Sequence, residues 1–104
     1  MSIPVGLSTA CVVPGSVPDT FAIARELGYD GVEIMVWSEK ASQDATRLAA
    51  LVEKFDQPVL AVHAPTLLVT RGVFGADPWD KVDRSIELAH YLEAPTVVLH
   101  PPFF

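Results

Sequence analysis

The feature that most constrains this chain is an alternation of two periods. Four short apolar runs, Ile3 to Ser8, Gly31 to Val36, Pro58 to His63 and Thr96 to His100, are separated by stretches whose apolar residues recur at helical spacing. Each run is too short for a helix, and strands alternating with helices argue for a parallel α/β sheet. Pro4 and Pro58 belong at strand beginnings, because proline cannot donate to a ladder. The runs are apolar at odd and even positions alike, as parallel strands covered on both faces require.

The intervening stretches carry helix punctuation. Val17 to Leu27 has Ser16 as a cap, Pro18 in its first turn and Gly28 as a left-handed stop, with Phe21, Ala24 and Leu27 on one face. Ser42 to Phe55 places Leu48, Ala49, Leu51 and Val52 on a second apolar face. A third helix begins at Asp77-Pro78-Trp79-Asp80, where Asp77 caps, Pro78 takes the first position and Asp80 favours the dipole, and it runs to about Leu92. The order is β-α-β-α-β-loop-α-β, with a longer loop from Ala64 to Ala76 of the kind that often carries function. A weak internal repeat sets the segment from Ile23 to Val32 against that from Leu88 to Val97. It puts Met35 opposite His100 and predicts that Ala24, Leu27, Ala89 and Leu92 pack on the sheet.

Composition narrows the function. With 104 residues the chain is expected to be one domain. Its formal charge is −6, and its Lys and Arg residues are scattered. Nucleic-acid binding needs a basic face, so no nucleic-acid partner is expected. No apolar run reaches the ~20 residues that span a bilayer, so no membrane partner is expected either. The first residues lack the charged and apolar regions of a secretion signal. Cys11 is the one cysteine and can form no intrachain disulfide. A cytoplasmic location follows as the default.

Several residues stand out chemically. His63 and His100 each end an apolar run, and each is followed by a small residue or proline. Ligands of parallel α/β folds bind at the carboxyl ends of strands, where two imidazoles can share one metal or one substrate oxygen. The alternative is a pair of structural histidines. Glu33 interrupts an apolar run, where a carboxylate is costly unless paired or hydrated. By alternation it shares a face with Met35. It either binds a metal, accepts from a substrate hydroxyl, orients a histidine, or forms a buried ion pair. Ser8 and Thr9 end the first strand and can bind substrate hydroxyls or phosphate. Trp37 ends the second and either stacks on a sugar face or packs. Cys11 is read as packing, His90 as surface or packing, and Arg71 as a loop residue facing solvent or an anionic substrate.

Gly31-Val32-Glu33-Ile34, then His63-Ala64-Pro65, then His100-Pro101-Pro102, with Asp77-Pro78-Trp79 and Ala94-Pro95-Thr96-Val97-Val98 between and around them, resemble the xylose isomerase-like TIM barrels. That superfamily includes sugar and sugar-phosphate isomerases and epimerases, and endonuclease IV. The resemblance implies that residues 1–104 form the N-terminal half of such a barrel, with about four strands and three helices. It implies an isomerase or epimerase that moves a proton next to a carbonyl with the help of a divalent metal, Mn, Mg or Zn. Glu33, His63, His100, Ser8 and Trp37 would then line the carbohydrate site, and the catalytic carboxylates would lie beyond Phe104. In endonuclease IV-like members, histidines ending the third and fourth strands bind zinc. His63 and His100 match those positions, so a zinc-dependent phosphodiester hydrolase is the alternative. Four βα units cannot close an eight-stranded barrel, and the first and fourth strands would have unpaired edges. Three expectations follow: a truncated chain, a half-barrel completed by a partner chain with or without catalysis, or a homodimer.

Overall fold

The computed structural model describes residues 3–12, 15–65, 72–75 and 77–100. It contains strands β1 (Gly6–Ser8), β2 (Gly31–Met35), β3 (Val59–His63) and β4 (Thr96–Val98), and helices α1 (Val17–Leu27), α2 (Ala45–Phe55) and α3 (Pro78–Tyr91). The strands pair in the order β1-β2-β3-β4, every pair parallel. Four parallel strands alternating with three helices make a (β/α) half-barrel arrangement, as the sequence pattern predicts.

Helix boundaries follow the capping chemistry. Asp19 accepts from the Ser16 backbone N–H at 2.8 Å and from the Ser16 hydroxyl at 3.1 Å, and Gly28 closes α1 at φ 80°. Asp77 accepts from Trp79 N–H at 2.9 Å to start α3. The second helix starts three residues later than Ser42, because Asp44 is the residue whose carboxylate accepts from a first-turn amide, that of Arg47 at 3.1 Å. Lys40–Gln43 forms a separate 3-10 turn.

The two hydrogen bonds from Ser16 hold the Asp19 carboxyl below the ordinary aspartate value. A carboxylate with a depressed folded-state pKa contributes stability above its unfolded value and loses it as pH falls through the folded one. Asp19→Asn is therefore expected to lower stability at neutral pH, and the gap from the parent should close in strong acid. Thermal melts followed by circular dichroism across the acid range would read this, and a pH-independent gap would contradict it.

The sheet has two unlike faces. Val32, Ile34, Val36, Val59 and Val62 are buried beneath the helices, where they meet Phe21, Ala24, Leu48, Leu88 and Ala89. The opposite face carries Ser8, Glu33, Met35, Ala61, His63 and Val98, all only half-buried. Coverage on both faces is therefore not seen among the described residues. Leu27 also departs from expectation: it is exposed, as the last residue of α1 before the Gly28 cap. Ala24 and Ala89 pack as the repeat predicts.

A bulge sets the register. Between Val32↔Val59 and Glu33↔Ala61 strand β3 advances by one extra residue, Leu60. The Leu60 side chain crosses Gly6 and Gly31 on the inner face. A Cβ at Gly31 would overlap the Pro58 carbonyl oxygen and come within 2.7 Å of Leu60 Cγ. That carbonyl also accepts from Val32 N–H at 2.9 Å, so it cannot retreat without losing a ladder bond. Gly31→Ala is expected to destabilise by ~1–3 kcal/mol, the usual cost of overpacking, as read by urea unfolding. A neutral result would show that the bulge is not fixed by this contact.

Candidate functional site

The register places the chemistry-bearing residues in tiers on the inner face. Ser8, Glu33, Ala61 and Thr96 share one level, and Met35, His63 and Val98 share the next. His63 is the last residue of β3, but His100 lies two residues beyond the end of β4. The two histidines are therefore not in equivalent positions: His63 is level with Val98, and His100 stands one inward step higher. Met35 is likewise level with His63 and Val98 rather than with His100.

That offset brings the imidazoles together. His63 Nε2 and His100 Nε2 are 3.0 Å apart, with ring centroids 4.9 Å apart and planes tilted by 39°. His63 Nδ1 lies 3.0 Å from the Ala64 carbonyl oxygen. A carbonyl only accepts, so Nδ1 is assigned the proton and Nε2 presents its lone pair toward His100. His100 Nε2–H then donates to it. Two imidazole nitrogens on one tetrahedral zinc lie ~3.3 Å apart at normal bond lengths, close to the separation observed. The backbone bond on Nδ1 is the outer support that metal-binding histidines commonly have. The spacing is that of two ligands on one cation, while among the described residues no group of three His, Cys, Asp or Glu side chains is placed to hold a metal.

Glu33 sits one level below His63 and two below His100, half-buried on the same face. Ser8 is on its level, with its hydroxyl turned to the Ala10 N–H at 3.1 Å. Thr9 does more than its sequence position suggests: its Oγ1 accepts from Met35 N–H at 2.9 Å and ties the β1 loop to β2. Cys11 is exposed, contrary to its expected packing role, because it lies in the turn after β1 rather than under a helix. His90 is exposed on α3. Arg71, Pro101 and Pro102 lie outside the described residues, as does part of the Ala64 to Ala76 loop.

A hollow of about 350 Å³ opens where the β1 and β2 strands end. Thr9, Ala10, Val12, Met35, Trp37 and Glu39 form its walls, and Met35 is also the register partner of His63. Trp37 stays 51% exposed, so it lines this opening instead of packing away. Its backbone is fixed by a residue that sequence reasoning passed over. The buried Ser42 hydroxyl accepts from Trp37 N–H at 3.1 Å and donates to the Glu39 carbonyl at 2.7 Å. Gln43 adds a bond to the Trp37 carbonyl at 2.7 Å. A slightly larger hollow, about 380 Å³, is lined by the start of α2, by Phe74 and by Arg84, Leu88 and Tyr91 of α3.

Lys81 is a second residue without a sequence signal. It is buried in α3, and its ammonium donates to the carbonyls of Val73 at 2.7 Å and Gly75 at 2.8 Å. Burial pushes its pKa down from the ordinary lysine value. Phe74 between those carbonyls holds φ 57°, a left-handed conformation that costs a non-glycine residue ~1–2 kcal/mol. Lys81 thereby anchors the described part of the loop that follows β3.

No family model matches the chain. Curated relatives do: an uncharacterized protein of Mycobacterium leprae (strain TN) is 52% identical over 101 residues, covering 97% of this chain and 36% of its own length. Uncharacterized proteins of Mycobacterium tuberculosis (strain H37Rv) and Mycobacterium bovis are each 52% identical over 102 residues, 98% of this chain and 36% of theirs. The chain thus spans about a third of the length of the mycobacterial proteins it resembles.

Proposed function

We propose that the chain carries the early-strand part of a carbohydrate site of the isomerase or epimerase kind, in which a proton moves next to a carbonyl. The observation that carries this reading is the convergence of His63 Nε2 and His100 Nε2 at 3.0 Å, with His63 Nδ1 held by the Ala64 carbonyl. A divalent cation held there would polarise a substrate carbonyl and stabilise the enediolate. His63 and His100 would hold it, completed by ligands from outside the described residues. Without a cation, the His100 Nε2–H donates to a substrate oxygen and the His63 Nε2 lone pair accepts from a substrate hydroxyl. Glu33, below them on the same face, accepts from a substrate hydroxyl. The base that moves the proton belongs, in this proposal, to the part of the fold that the longer relatives have and this segment does not.

A phosphodiester hydrolase would use the same imidazole pair. The net charge of −6 disfavours a polyanionic substrate, so the carbohydrate reading is preferred. Deuterium wash-in separates the two. A free ketose incubated in D₂O and Mn²⁺ or Zn²⁺ with this segment joined to the remaining two thirds of a mycobacterial relative, which in this proposal supplies the base, is expected to gain deuterium on the carbon beside its carbonyl. Hydrolysis of an activated phosphodiester with no such exchange would replace this reading with the other.

A further inference from the structure

The hollow lined by Thr9, Trp37 and Glu39 has a polarity of its own. It lies at the carboxyl ends of β1 and β2, next to the N-terminus of α1, the place where a phosphate group is ordinarily received by free helix amides. Here those amides are already taken by protein carboxylates. Val17 N–H donates to Glu39 at 3.0 Å, and Ser16 N–H donates to Asp19 at 2.8 Å. Among the described residues, no Lys or Arg lines the hollow. Lys40, next to Glu39 in sequence, is not part of its wall.

What remains on offer suits an uncharged polyol. Glu39 accepts one amide hydrogen through its two oxygens and has lone pairs left for hydroxyl donors. The Thr9 oxygen accepts from Met35 N–H, so its own hydrogen is available to a ligand oxygen. Trp37, half-exposed, together with Met35 and Val12, supplies apolar surface for the C–H face of a sugar ring. A phosphate dianion would bring acceptor oxygens and two charges against a carboxylate, which like-charge repulsion opposes.

We infer that the hollow formed by Thr9, Val12, Met35, Trp37 and Glu39 receives the uncharged hydroxylated end of a free sugar and discriminates against a phosphorylated one. The inference rests on the carbohydrate reading above and narrows it: Glu39 is the specificity-determining residue, through the charge it places over the helix amides.

Indole fluorescence tests it. Trp79, exposed on the first turn of α3, is replaced by phenylalanine so that Trp37 is the remaining indole. This protein is titrated with D-fructose and with D-fructose 6-phosphate at fixed ionic strength. The expected result is a saturable change with the free ketose and binding of the phosphorylated one weaker by about tenfold or more. Glu39→Gln keeps an acceptor for Val17 N–H and removes the charge, so it should shrink that ratio severalfold. Tighter binding of the 6-phosphate would overturn the inference and leave the carbohydrate reading standing. Equal binding of both, unchanged by Glu39→Gln, would overturn it too. Saturable binding of neither ketose, nor of D-xylose, would remove the carbohydrate reading and this inference with it.

Discussion

Replacing Phe21 with alanine is expected to cost ~3–5 kcal/mol, the usual range for a fully buried aromatic, and to leave the chain largely unfolded at room temperature. Phe21 has no exposed surface, and its ring lies 6.5 Å from that of Phe55. It joins α1 to α2 and both to the buried valines of β2. Native domains hold ~5–15 kcal/mol of net stability, and a sheet covered on one face alone belongs near the low end. Leu27→Ala is the matched control, in the same helix but 67% exposed, and surface changes of this kind stay within ~0.5 kcal/mol. Denaturant unfolding followed by far-ultraviolet circular dichroism would separate the two. Comparable losses from both variants would mean that the core does not lie between the helices and the outer face of the sheet.

That contrast also explains what could be read from sequence and what could not. The strand and helix order was legible because local signals agreed: Pro78 after Asp77, Gly28 after Leu27, and four β-branched runs of strand length. Leu27 misled because helical periodicity says which residues share a stripe, but not which of them stay exposed at the helix end. The apolar character of β2 and β3 suggested two covered faces, and the described structure covers one. The difference lies in Ala61, Met35 and Val98, which satisfy the pattern without being buried. The Leu60 bulge was invisible because a one-residue register shift depends on the partner strand.

The site was legible in part for similar reasons. His63 and His100 could be paired from their strand-end positions, yet their contact depends on His100 standing two residues past β4, which repeat alignment cannot supply. Ser42, Glu39 and Lys81 carried no signal, since a serine, a glutamate and a lysine in polar stretches look like solvated surface. Their roles come from tertiary partners: the Trp37 turn, the amide of Val17, and the carbonyls of Val73 and Gly75. Such residues are found by asking where backbone donors and acceptors go, which needs coordinates.

Zinc affinity should depend on both histidines at once. His63→Ala and His100→Ala are each expected to weaken binding by at least ~100-fold, because loss of an outer-shell partner alone costs about 10–100-fold and a direct ligand costs no less. The double variant should add little to either single one. If both Nε2 atoms serve one cation, removing the first ligand already destroys the chelate, so the effects are strongly non-additive. His90→Ala, on the exposed face of α3, should leave binding unchanged and exclude adventitious capture by any surface imidazole. Co²⁺ as a spectroscopic substitute gives the reading directly, through the d–d absorption that low coordination number makes intense. Dependence on His63 but not on His100 would sink the shared site. The 3.0 Å contact would then be a hydrogen-bonded pair that orients the β4 end, and the proton-transfer proposal would have to rest on oriented substrate oxygens without a cation at this position.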